Sequence, residues 1–160
     1  MLALKFTQKL LKDMKVSPVE LEEADSLFSW HVNILQLRKK YIIFVNDSSR
    51  LCLVIGGIRS SHARKLQEEF ITQLKEYLML EGVSKSLIDQ YFLEAGDIKI
   101  AKTDSRSVIG TMTEMTLYSD NVIFDSTYDL SAWLNKMIYK PISYEKPINV
   151  FKKEIEQRYN

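Results

Sequence analysis

Two short stretches hold residue types whose spacing could do chemistry. The first is Lys102-Thr103-Asp104-Ser105-Arg106-Ser107-Val108-Ile109-Gly110-Thr111. Here an alternating pattern gives way to a helical one. A helix start offers unpaired backbone N–H groups and the positive end of the helix dipole, which together favour an anion. Lys102 and Arg106 add charge, and a guanidinium such as Arg106 can grip a phosphate or carboxylate at two points. Ser105, Ser107 and Thr111 add hydroxyl donors. Asp104 works the other way, because at the cap it would repel an anion. The Gly-x-x-x-x-Gly-Lys pattern of a nucleotide-binding loop is absent.

The second stretch is Trp30-His31-Val32-Asn33. On a strand, His31 and Asn33 project to one face and Trp30 and Val32 to the other. His31 is suited to acid or base work near neutral pH, and Asn33 to orienting a group or stabilising an oxyanion. Leu35 and Leu37 share their face. The plain alternative is therefore that both polar groups satisfy backbone atoms at a sheet margin. Arg59 lies at a strand end and joins Arg106 around a ligand if the strand ends converge. Catalysis needs nucleophile, base and orienter together, and only pieces of such a set are visible.

Other residues carry less. Two His and one Cys, widely separated, do not make zinc-ligand spacing, so no metal site and no cofactor is expected. Glu20, Glu22, Glu23 and Asp25 do not follow an EF-hand loop and read as a solvated acidic segment. Cys52 sits inside an apolar run, where a thiol is inert. Tyr139 and Tyr144 with Lys136, Lys140 and Lys146 mix aromatic and basic groups in the way that single-stranded nucleic acid binders do. A partner protein suits that region better than nucleic acid does.

The elements that must position these residues follow from periodicity. Leu2, Leu4 and Phe6 alternate as a first strand, and Thr7 caps a helix bearing Leu10, Leu11 and Met14. Ser29–Arg38, Tyr41–Val45 and Leu51–Ile55 are strands joined by Arg38-Lys39-Lys40 and Asn46-Asp47-Ser48-Ser49, so they form an antiparallel meander. Leu51–Ile55 is apolar at every position, which places it centrally, covered on both faces. Ser60 or Ser61 caps a helix with Leu66, Phe70, Leu74 and Leu78, stopped at Gly82. Ser84 caps another, ended at Gly96. Asp97–Thr103 is a further strand, followed by helices from Ser105 and from Ser126 or Thr127. The fold class is α+β: a mainly antiparallel sheet of four to five strands with a central three-stranded meander, packed by about five helices. Residues 1–140 form a single domain, and 141–160 a C-terminal tail with a short helix.

Composition sets the remaining bounds. The chain has 160 residues, 46% hydrophobic and 27% charged, with 5 Gly and 3 Pro, which excludes collagen-like and wholly disordered classes. Lys plus Arg is 22 and Asp plus Glu 21, a net charge of +1, so bulk charge does not argue for a nucleic-acid binder. The single cysteine cannot form an intramolecular disulfide, no targeting segment stands out, and no apolar run approaches the ~20 residues of a membrane span. A cytoplasmic location follows as the expectation.

Several of these stretches together resemble the bacterial domain of unknown function 6933 family. They are the opening Leu4-Lys5-Phe6-Thr7-Gln8-Lys9-Leu10-Leu11-Lys12, Trp30-His31-Val32-Asn33-Ile34-Leu35, Ile43-Phe44-Val45-Asn46-Asp47, and Lys102 through Met112. The similarity runs from residue 1 to about 118 in the same order. It implies a single domain and singles out a Trp-x-x-Asn, an Asn-Asp strand end and an Arg-Ser-Val run, with no activity attached. Thr103-Asp104-Ser105 departs from the Asn-Asp pair expected before the Arg.

Three functions are compatible with these residues. One is a small binding or regulatory domain, from a bacterial or mobile-element context, taking a phosphorylated small molecule at the start of the 105–117 helix through Lys102, Ser105, Arg106, Ser107 and Arg59. A second is a small enzyme acting on an anionic substrate with His31, Asn33 and Arg106. A third is a protein-interaction module of a toxin–antitoxin or phage-defence pair.

Overall fold

A computed structural model describes all 160 residues, Met1–Asn160. The strands are β1 (Leu2–Phe6), β2 (Ser29–Gln36), β3 (Lys40–Asn46), β4 (Cys52–Gly56) and β5 (Ile98–Lys102). The helices are α1 (Gln8–Met14), α2 (Ala63–Leu80), α3 (Lys85–Ala95), α4 (Arg106–Ser119), α5 (Thr127–Leu134) and α6 (Pro147–Tyr159). The fold is α+β, with a single mixed sheet in the order β4-β3-β2-β1-β5. The meander β2-β3-β4 is antiparallel, whereas β1 runs parallel to both β2 and β5.

Local signals place most helix starts. Thr7, Ser84, Ser105 and Ser126 each accept a hydrogen bond from a first-turn N–H, as N-caps do. Helix α2 differs: His62 precedes it without a side-chain cap, and the Ser60 hydroxyl donates instead to Asp13 Oδ1 at 2.6 Å. Gly82, at φ +86, takes the left-handed conformation that ends α2, at little steric cost for a residue without Cβ.

Strand alternation sorts side chains into two cores. On one face Leu4, Phe6, Trp30, Val32 and Phe44 pack beneath α1, α2, α3 and α6 in a cluster of 29 buried residues. On the other, Ile43, Val45, Cys52 and Val54 meet Val108, Met112 and Met115 of α4 and Leu130 and Leu134 of α5, a cluster of 11. Segment 141–160, expected as a tail, sends Ile148, Phe151 and Ile155 into the larger core. Their i, i+3, i+7 spacing puts all three on one side of α6.

The expectation of a central β4 is corrected: it is an edge strand. Its apolar run is buried because both faces are covered and α5 seals its outer rim. The Cys52 N–H donates to Asn135 Oδ1 at 2.7 Å, Asn135 Nδ2 donates to the Cys52 carbonyl at 2.9 Å, and the Val54 N–H donates to Ser131 Oγ at 2.9 Å. Side chains thus stand in for a missing strand along the Cys52–Val54 stretch of this edge, which shields it from pairing with another chain. Burial pushes the Cys52 thiol far above its usual pKa, so it stays protonated. No helix is long and apolar enough to cross a membrane.

At the surface, α6 is latched to α3. Arg158 Nε donates to Glu94 Oε1 at 2.9 Å, and the Tyr159 hydroxyl donates to the same oxygen at 2.8 Å. Hydrogen bonding from Arg158, with smaller help from Tyr159 and the Arg158 charge, lowers the Glu94 carboxyl to about 2. A carboxyl depressed in the folded state contributes stability above its unfolded pKa of about 4.3, and that contribution fades as pH falls through the folded value. In an NMR titration Glu94 is expected to turn over near the lower value, and to return to the ordinary range in Arg158→Ala.

Candidate functional site

Register brings four polar residues to one patch of the sheet. Lys5 of β1 pairs with His31 of β2, and His31 with Val45 of β3, so Lys5 and His31 project to the same face. Asp47 follows β3 directly, and Asp104 lies between β5 and α4. This face is the one α4 covers, and the four side chains meet beside the start of that helix.

His31 is fully buried, and its Nδ1 lies 2.7 Å from Asp47 Oδ1. Its Nε2 accepts from the Asp104 N–H at 3.3 Å and lies 3.5 Å from Asp104 Oδ1. With a carboxylate at Nδ1 and a backbone donor at Nε2, the proton of a neutral ring belongs on Nδ1. Lys5 Nζ bridges the two acids, 3.0 Å from Asp47 Oδ2 and 3.0 Å from Asp104 Oδ2. Burial acts to lower the Lys5 pKa, but hydrogen bonds and charge from Asp104 and Asp47 together outweigh it, and the net shift is upward.

His31, Asp47 and Asp104 offer ligand atoms within 4.8 Å of one another, a set able to hold a cation. The charge they attract is supplied by the chain itself, since the Lys5 ammonium already bridges both carboxylates. A metal ion would have to displace it.

Arg50 completes the patch. It adopts a left-handed conformation at φ 63, which costs about 1–2 kcal/mol for a residue with Cβ. Its guanidinium is almost wholly buried against α4, Nε donating to Thr111 Oγ1 at 3.2 Å and one terminal nitrogen to Ser107 Oγ at 2.8 Å. The other terminal nitrogen donates to the Asp47 carbonyl. Burial lowers its pKa, with the Asp47 charge working in the opposite direction.

The residues singled out from sequence divide accordingly. His31, Asp104 and Ser107 belong to the patch. Ser105 is the cap of α4, its Oγ accepting from the Val108 N–H at 3.2 Å. Lys102 and Arg106 are exposed at its margin and enter no salt bridge. Asn33 is occupied elsewhere: its Oδ1 accepts from Thr7 Oγ1 at 2.6 Å and from the Ile34 N–H at 2.8 Å, tying β2 to the start of α1. Arg59 is not brought to the others. It follows the Gly56 end of β4, whereas the patch lies at the Cys52 end, where β4 pairs with Val45. Tyr139 is buried and donates to the Leu134 carbonyl at 3.0 Å, so only Tyr144 of that aromatic pair is exposed.

Lys5 and Arg50 were not singled out by sequence reasoning. The available signal for Lys5 was a charge amid the apolar Leu2–Phe6, and for Arg50 its place at the close of the Asn46–Ser49 turn. Beside the patch, the paired residues Lys5 of β1 and Ala101 of β5 line a groove of about 570 Å³ together with Pro18, Glu20, Lys102 and Asp104.

No curated protein and no solved structure matches the chain. A family profile does, over residues 3–150, which carries the similarity well beyond position 118, through α5 and into the first turn of α6. With so much of its length matched, the chain belongs to the family described as domain of unknown function (DUF6933).

Proposed function

We propose that this chain is a small binding domain that takes a phosphate-bearing molecule at the start of α4. One observation carries the reading. The N–H groups of Arg106 and Ser107 donate to no backbone acceptor, while the one carboxylate able to block them, that of Asp104, is turned to Lys5 and His31. Free donors at the positive end of a 14-residue helix, with Lys102 and Arg106 exposed beside them, make an anion-attracting surface. Arg50 adds a further buried charge through Ser107.

Thermal shift against pyrophosphate and nucleotides tests this. A saturating ligand, at about 100 times its dissociation constant, adds ~2.7 kcal/mol. The shift is expected to fall with added salt and to vanish in Arg106→Ala. An equal shift in wild type and Arg106→Ala counts against the reading.

The 2.7 Å contact of His31 with Asp47 supports a second reading, an enzyme with His31 as acid or base. A carboxylate on Nδ1 is what orients a catalytic imidazole, and here Asp47 takes the part expected of Asn33. Nε2 then has to be uncovered, since Asp104 occupies it and the ring has no exposed surface.

A further inference from the structure

The groove beside β1 and β5 holds a buried ammonium shared by two carboxylates of unequal standing. Lys5 lines the groove and is only 6% exposed. The Asp47 side chain is 10% exposed and is fixed on two sides, by Lys5 and by His31. The Asp104 side chain is 61% exposed and belongs to the connection between β5 and α4. One carboxylate neutralises one ammonium. The second is held by a charge already balanced, and water competes for it. Asp104 is therefore the exchangeable partner. It is also the residue between the groove and the imidazole, for both groups that meet His31 Nε2 come from Asp104.

We propose that this groove binds a small monocarboxylate, whose carboxylate replaces that of Asp104 on Lys5, so that Asp104 acts as an internal competitor. A charge-assisted hydrogen bond to Lys5 supplies recognition. A volume of about 570 Å³ suits a small molecule. Glu20 and Lys102 both line the groove with opposite charges, so the two offset each other and leave no surplus charge for a polyanion. The remainder of the ligand is uncharged or cationic. The site depends on Lys5 and not on the N–H groups of α4, which separates it from the phosphate reading. An internal competitor lowers apparent affinity by the fraction of time that the site stands open, and removing it restores that factor.

Acetate is the probe, titrated into the whole chain and followed by nitrogen NMR of Lys5 Nζ and His31 Nε2. In Asp104→Ala both resonances are expected to move, with a dissociation constant about fivefold below that of wild type. Asp104→Glu restores an internal carboxylate and is expected to return the affinity to the wild-type level, which separates competition from a change in folding. Equal acetate affinity in wild type and Asp104→Ala, or a titration that leaves Lys5 unmoved, overturns the proposal. Arg106→Ala is expected to leave acetate binding intact while removing the pyrophosphate-dependent thermal shift, so the two sites fail or stand separately.

Discussion

Trp30→Ala is expected to destabilise the chain by about 3–5 kcal/mol, read as a fall in the urea midpoint followed by far-UV circular dichroism. The indole is fully buried on the larger core's side of the central strand β2. It meets Phe70 of α2 edge-on at 5.1 Å and Phe151 of α6 at 6.2 Å between ring centres. Removing it opens a cavity where the sheet and two helices join, and none of the three can move in without giving up its own contacts. The hydrogen-bond cost is smaller. Trp30 Nε1 donates to the Tyr91 hydroxyl at 3.1 Å, but that hydroxyl keeps its own acceptor, the Leu27 carbonyl at 2.8 Å. Trp30→Phe, which keeps an aromatic ring against Phe70 and Phe151, is therefore expected to lose much less. A loss below about 1 kcal/mol in the alanine variant would show that the helices close over the gap. Since a whole domain is stable by only about 5–15 kcal/mol, the expected loss takes a large share of the total.

What the sequence made legible was whatever depends on near neighbours. The caps Thr7, Ser84, Ser105 and Ser126 act within three residues of themselves, and each is visible as a hydroxyl before an apolar repeat. The division of β2 into a Trp30 face and a His31 face follows from strand geometry alone. Position within the sheet was not legible for β4. An apolar run reads the same whether its outer rim is covered by a strand or by side chains, and here the covering groups, Asn135 and Ser131, lie 83 and 77 residues away. The same reason hid most of the patch. Lys5 and Asp47 are 42 residues apart, and Arg50 and Thr111 are 61 apart, so Lys5 looked like a lone charge in an apolar strand and Asp47 and Arg50 like ordinary turn residues. Arg59 shows the converse. It is close in sequence to β4 and was grouped with Arg106, but a strand has two ends, and Arg59 follows the one turned from the patch.

Asp47→Ala is expected to cost about 3–5 kcal/mol at neutral pH, because it removes one partner of a buried charge. Lys5 would keep only the exposed Asp104, and the fully buried His31 ring would lose the acceptor at its Nδ1. Asp104→Ala removes an oxygen from the same ammonium at the same 3.0 Å, yet Asp47 remains and the lost side chain was mostly in water, so about 1 kcal/mol or less is expected. The contrast between two carboxylates equidistant from one ammonium is the test, and equal losses in the two variants would sink the distinction between them. The pH dependence has a definite sign. The Lys5 pKa is raised in the folded state, so its contribution is complete below the unfolded value of about 10.4 and fades as pH rises through the folded one. Asp47→Ala withdraws part of what raises it, so the variant is expected to lose less than wild type on strong alkalinisation. Removing both charges together reverses the logic. In Lys5→Met with Asp47→Leu no unpaired buried charge is left behind, since Asp104 is mostly in water, and the part of the single variant's loss due to Lys5 is expected to be recovered, while the part due to the unpartnered His31 Nδ1 stays. A buried charge with one fixed and one exchangeable partner can trade the second for a ligand at little cost to the fold, which a structural ion pair with a single partner cannot do.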